Sequence, residues 1–192
     1  MSTASKTLLI NNTCVCPWWL AYTFDHRIRR LFHKPEQMFA PYLRKGMTAL
    51  DIGCGMGFFS IDMAKIVGDT GSVIAVDLQQ NMLDNLERRA RHAGVSHLIS
   101  CHRCERDNIG HHRHVDFALT FWMVHEVPDQ ARLFKQIFAT LNPAGKYLLV
   151  EPKIHVTRDR YQKSVACAHE AGFIPVENPT IRFSRATLFE KV

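Results

Sequence analysis

Thr48-Ala49-Leu50-Asp51-Ile52-Gly53-Cys54-Gly55-Met56-Gly57 decides the fold. Leu50 and Ile52 flank Asp51 at the end of a short apolar run, the signature of a buried strand. Three glycines follow at alternate positions. From Phe58 to Val67 the apolar residues then recur at helical spacing. Strand, glycine turn and helix together open a nucleotide-binding crevice. Glycine tolerates positive φ and has no Cβ, so a ligand can lie directly on this backbone.

Downstream of this unit the pattern repeats. Residues 73–77 form a second strand, and Asn81 to His92 a helix with Met82, Leu83, Leu86 and Ala90 on one face. Residues 98–103 form a weaker third strand, and 115–121 a fourth, continuous and apolar as a central parallel strand should be. Asp129 caps a helix that runs to Leu141. Asn142-Pro143-Ala144-Gly145 reads as a turn, and 147–151 as the fifth strand. A helix from Asp159 to Ala171 and a closing pair of strands, 173–176 and 181–190, complete the chain. The short link between those last strands favours an antiparallel hairpin. Repeated β-α units predict an α/β fold: a Rossmann-like, doubly wound, seven-stranded sheet, mostly parallel with an antiparallel edge strand.

Upstream, Pro35 opens a short helix. Before it, Trp18, Trp19, Tyr22, Phe24, Ile28, Leu31 and Phe32 recur at near-helical spacing with arginines between them. The division expected is 1–35, a tail and lid-like helix, and 36–192, the ligand-binding domain.

The 192 residues suffice for one domain with a full core, and 46% apolar and 22% charged content are ordinary for a globular chain. The net charge of +6 permits an anionic partner without requiring one. No Lys/Arg block points to nucleic acid. No apolar stretch reaches the roughly 20 residues of a bilayer span. Without a secretory signal, six cysteines read as reduced thiols in a cytoplasm. Cys101 and Cys104 have a metal-pair spacing, but positions three apart on a strand point to opposite faces, so no metal site is expected. His111-His112-x-His114 reads as a solvated loop.

The ligand follows from what surrounds the glycines. A dinucleotide fingerprint needs a third glycine at position 58, and 58 is Phe. Asp51, directly before the turn, disfavours a pyrophosphate and suits a cation. Asp77 lies 20 residues after Gly57 at the end of the second strand, where a carboxylate accepts ribose hydroxyls. The ligand expected is a nucleoside with a cationic group and no phosphate.

Asp51-Ile-Gly-Cys-Gly-Met-Gly57 resembles motif I of the class I S-adenosylmethionine-dependent methyltransferases. Val76-Asp77, Val115-Asp116-Phe117-Ala118 with His125 after it, and Leu141-Asn-Pro-Ala-Gly-Lys-Tyr-Leu-Leu-Val-Glu151 resemble later motifs of that family, in order and spacing. The branch most similar is the type 11, ubiquinone/menaquinone-biosynthesis-like group. Ala144 stands where the family has glycine.

The resemblance implies S-adenosyl-L-methionine as cofactor. Asp51 would lie beside the turn, and Gly53, Cys54 and Gly55 would line the methionine part. Asp77 would hold the ribose, and Leu78 would pack on adenine. Glu105 and the backbone N–H of Arg106 would read the adenine edge. Thr120 and Phe121 would touch the methionine end. His125 is then a candidate base, with Glu126 orienting it. A small-molecule methyl acceptor is the expected partner. A nucleic-acid or protein methyltransferase and a non-catalytic binding module are the alternatives.

Overall fold

A computed structural model describes residues 33–110 and 113–192. The expected N-terminal lid from Trp18 onward, and His111 and His112, lie outside the described residues. The elements in chain order are α1 (Pro35–Phe39), β1 (Thr48–Ile52), α2 (Phe58–Val67), β2 (Ser72–Asp77), α3 (Gln80–His92), β3 (Ile99–Arg103), β4 (Val115–Phe121), α4 (Gln130–Thr140), β5 (Leu141–Pro152), α5 (Arg158–Glu170), β6 (Phe173–Glu177) and β7 (Ser184–Lys191). Short 3₁₀ turns span Ser96–Leu98 and Val124–Glu126.

The seven strands form one sheet in the order β3-β2-β1-β4-β5-β7-β6. β1 to β5 pair in parallel, and β7 is antiparallel to both β5 and β6. The expected hairpin is therefore β6–β7, folded back so that β7 lies inside β6. Pro175, which has no N–H to donate, stands on the outermost strand, where that donor is not needed.

Strand residues alternate between two apolar layers. Ala49, Val73, Phe117, Leu119 and Leu148 face α1, α2 and α3, whereas Leu50, Ile74, Ala118, Tyr147 and Leu149 face α4 and α5. Two covered faces explain why these strands read as continuous apolar runs rather than alternating ones. The order reverses between β1 and β4, so the crevice opens at the carboxyl ends of β1, β2 and β4.

The caps follow the sequence. Asp129 accepts from the Arg132 N–H at 2.9 Å, and Thr157 does the same for α5 from Arg160 at 3.3 Å. Asp116 orients backbone: its carboxylate accepts from the Thr48 N–H at 2.8 Å and the Asn142 side chain at 2.7 Å.

Asn142 to Gly145 departs from a simple turn. Leu141 already pairs with Val115, the next residues loop out, and pairing resumes at Lys146 opposite Phe117. The turn is thus a bulge within β5. It forces Ala144 to a φ of +60°. A left-handed alanine is strained, and a glycine there is not. Ala144→Gly should stabilise the fold by about 0.5–1 kcal/mol after the entropy of the unfolded glycine is counted. Urea melts check this, and an unchanged or lower midpoint would mean the bulge carries no strain.

Candidate active site

The three glycines of the turn have distinct duties. Gly53, Gly55 and Gly57 have φ of +71°, +54° and +78°. A Cβ on Gly57 would fall 1.7 Å from Leu86 Cδ1, and one on Gly53 would fall 2.9 Å from Met123 Cγ. A Cβ on Gly55 would meet no atom within 4 Å. Gly57 is therefore required by helix packing, and Gly55 faces open space. Gly57→Ala should cost roughly 3 kcal/mol, the sum of overpacking and backbone strain. Gly55→Ala should cost only about 1 kcal/mol of backbone strain. Equal losses at the two positions in denaturant melts would remove this division of roles.

The turn is braced from below. The Gly53 and Cys54 N–H groups both donate to the Val76 carbonyl, at 2.8 and 3.1 Å. Arg89 of α3 donates to the Met56 carbonyl at 2.9 Å. Ser60 of α2 donates its hydroxyl to Asp51 at 2.5 Å, which fixes that buried carboxylate at the end of β1.

Asp77 ends β2 with 8% of its surface exposed. One carboxylate oxygen accepts from the Gly55 N–H and the other from the Gln79 N–H, each at 2.9 Å. Burial nonetheless raises its pKa against these amide bonds. Amide N–H groups of Gln79, Gly55 and Leu78 face it, and the roughly four acceptor positions of a carboxylate leave room for a further donor. Burial pushes the Cys54 thiol well above its ordinary value, and the nearby Asp51 and Asp77 charges push it further. Cys54 is held as a protonated filler of the turn. The same effect reports a negative field at this end of the crevice, which suits a cation and opposes a pyrophosphate.

An open cleft of about 770 Å³ lies beside Asp77, lined by Leu78, Gln79, Arg103, Cys104, Glu105 and Arg106. The ends of β2 and β3 build it: the Cys104 N–H donates to the Asp77 carbonyl at 3.0 Å, and Arg103 Nε to the Leu78 carbonyl at 3.3 Å. The Glu105 main chain is tied to Asn108 by paired bonds of 2.9 and 3.4 Å. Leu78 thus shares one wall with Glu105 and Arg106, which are distant from it in sequence.

Thr120 and Phe121, expected at the methionine end, close β4. Thr120 is fully buried, and its hydroxyl bonds the Tyr147 hydroxyl at 2.6 Å. Phe121 turns its ring against Phe59 at 4.4 Å between centroids. Both side chains are committed to the core, because alternation along β4 sends one to each face. Met123, not Thr120 or Phe121, lays a side chain against Gly53.

His125 sits in the 3₁₀ turn after β4 with its Nδ1 2.6 Å from Glu151 Oε2. Glu151 is 1% exposed, and its other oxygen accepts from the Val124 N–H at 3.0 Å. Gln130 donates to the Val124 carbonyl at 3.1 Å and accepts from Ser164 at 2.8 Å. The turn is held on both sides. Glu126 stands 4.0 Å from Nε2, so the nearer carboxylate is Glu151 rather than the expected Glu126. Burial disfavours the imidazolium, but Glu151 and then Glu126 outweigh it and raise the His125 pKa above 6.5.

Cys101 and Cys104 pack into different apolar layers, as opposite strand faces require. Among the described residues no group of three or more His, Cys, Asp or Glu is placed to hold a metal ion. Among them, too, no helix is long and apolar enough to cross a membrane.

This strand order, with a glycine turn after β1 and a carboxylate ending β2, defines the methyltransferase class of doubly wound folds. Residues 49–145 match the methyltransferase domain family, and the chain belongs to it. It is 28% identical over 109 residues to a demethylmenaquinone methyltransferase of Oceanobacillus iheyensis, covering 57% of this chain and 46% of that one. It is 28% identical over 110 residues to the ubiquinone/menaquinone biosynthesis C-methyltransferase UbiE of Haemophilus ducreyi, covering 57% and 42%. The chain thus spans about half the length of the curated relatives it matches. A SAM dependent methyltransferase from Aquifex aeolicus shares the fold with a TM-score of 0.82 at 19% identity, covering 92% of this chain and 99% of that one. The [4+2]-cyclase SpnF shares it too, at 0.65 and 18% identity, covering 77% of this chain and 60% of that one. The fold alone therefore does not fix the reaction.

Proposed function

We propose that the protein methylates a small apolar molecule bearing an acidic hydroxyl, with S-adenosylmethionine as donor. One observation carries the reading: the space over Gly55 is open, and the buried Asp77 reaches its edge by accepting from the Gly55 N–H, which makes a cradle for a nucleoside. When bound there, S-adenosylmethionine supplies a methyl group on a positively charged sulfur. Asp77 would hold the ribose hydroxyls. Leu78, Glu105 and the Arg106 N–H would meet the adenine. The glycine turn would lie along the methionine part, with Met123 beside it.

His125 would take the acceptor's proton at Nε2, while Glu151 holds Nδ1 and stabilises the imidazolium that forms. Glu126 adds to that stabilisation from the other side. The curated relatives named as quinone-pathway methyltransferases support a quinol-like acceptor. The segment 1–35 reads as a tail and lid. His33 supports this by lying edge-on to Phe121 and Trp122 at 5.3 and 5.5 Å, which brings the end of that segment to the tip of β4. A cytoplasmic setting suits the free thiols Cys54, Cys101, Cys104 and Cys167.

The test is transfer of labelled methyl from S-adenosylmethionine to a panel of hydroquinones and phenols by the full chain. Labelled product that disappears in His125→Ala supports the reading. Label appearing only in RNA or protein, or in no acceptor, contradicts it.

A further inference from the structure

Two loops meet at the carboxyl edge of the sheet beyond His125. One follows β5 at residues 153–157, and the other precedes β7 at 182–183. The Lys153 N–H donates to the Phe183 carbonyl at 2.9 Å, and Arg185 donates to the Val156 carbonyl at 2.7 Å. The loops are thus fixed to one another as a rim. Their tips carry Ile154, 87% exposed, and Phe183, 54% exposed. Phe183 has a φ of +60°, a costly conformation for a bulky residue, and the Arg182 guanidinium lies 5.1 Å from its ring centre. Folding has no use for apolar side chains so far out in water. Along residues 153–160 and 182–183 Lys153, Arg158, Arg160 and Arg182 are exposed, and Asp159 is the one acid.

We propose that this rim docks the protein on an anionic phospholipid surface. Isolated apolar tips among cations suit the headgroup boundary, where the side chains enter and the cations meet negative charge. The two tips are too small to form the apolar centre of a stable protein–protein interface. A nucleic-acid surface would use the cations but not Ile154. The rim also stands beside the acceptor side of the site. The His125 and His155 rings stack with centroids 6.3 Å apart, and the Trp122 indole N–H donates to Ser184 at 2.9 Å. Docking here brings the mouth of the site to the lipid, the source of apolar acceptors. The inference stands on the rim alone, and its test makes no use of methyl transfer.

The full chain is sedimented with vesicles of phosphatidylcholine, alone or mixed with phosphatidylglycerol, at low and high salt. Binding is expected to the mixed vesicles only and to weaken as salt rises. Ile154→Asp combined with Phe183→Asp should abolish it. Lys153→Gln and Arg158→Gln should each weaken it about fivefold. Every variant is melted alongside to show that it is folded. Equal binding to neutral vesicles, binding unchanged in the double variant, no binding to either vesicle, or capture of RNA instead would overturn the proposal.

Discussion

Asp77→Ala should raise the dissociation constant for S-adenosylhomocysteine by about two orders of magnitude. Two hydrogen bonds from a ribose diol to a carboxylate contribute on the order of 3 kcal/mol together, which sets that factor. The unliganded fold should barely respond. Removing the side chain gives up the bonds from Gly55 and Gln79, but it also relieves the burial that raises the Asp77 pKa. A carboxyl with a raised folded pKa favours folding below its ordinary range and loses that contribution as pH rises through the folded value. The ionised form of Asp77 is therefore disfavoured by the fold, as expected of a group kept for a ligand rather than for stability. The expected melting shift is a few degrees at most. A large loss of melting temperature would show that Asp77 holds the turn together rather than a ligand. Undiminished affinity would remove the ribose assignment.

His125→Ala should lower kcat by roughly 10²–10⁴-fold and leave cofactor affinity unchanged, as loss of a general base does. Glu151→Gln separates the base from its partner. Glu151 is the main influence raising the His125 pKa, against burial, so its neutralisation lowers that pKa. A base at His125 works as neutral imidazole. Activity therefore rises with pH through the raised value in the native protein, and Glu151→Gln should move that rise to lower pH while reducing its height. The same pair contributes to folding with the sign of a raised histidine. Its stabilisation is complete below the ordinary value of 6.5 and fades as pH rises through the higher folded value. A pH–rate profile unmoved by Glu151→Gln would rule out the pair as the source of the base's pKa.

The two halves of the site were unequally legible in the sequence. The donor half follows a local signal. Asp51, the glycines and Asp77 lie on one β-α-β unit, so chain order alone places them at the turn after β1 and at the end of β2. Leu78, Glu105 and Arg106 needed only the neighbouring strand β3. The acceptor half depends on pairing between distant strands. Glu151 looked like the end of a strand, because nothing local says that β5 lies beside β4 with its carboxylate under His125. A charged residue closing an otherwise apolar strand at the crevice edge was the available sign. Thr120 and Phe121 close β4, as the apolar run implies. Alternation along the strand turns their side chains into opposite apolar layers. Ala144 shows the reverse case. A family glycine replaced by alanine marked a turn, and the structure supplies the reason in a positive φ.

Calorimetric titration of the full chain with S-adenosylhomocysteine and with NAD tests the central claim most directly. The open space over Gly55 beside Asp77 predicts one-to-one binding of S-adenosylhomocysteine, and the buried carboxylates Asp51 and Asp77 flanking the glycine turn in sequence predict no heat with the pyrophosphate of NAD. Binding of NAD with comparable affinity, or no binding of S-adenosylhomocysteine, would contradict it.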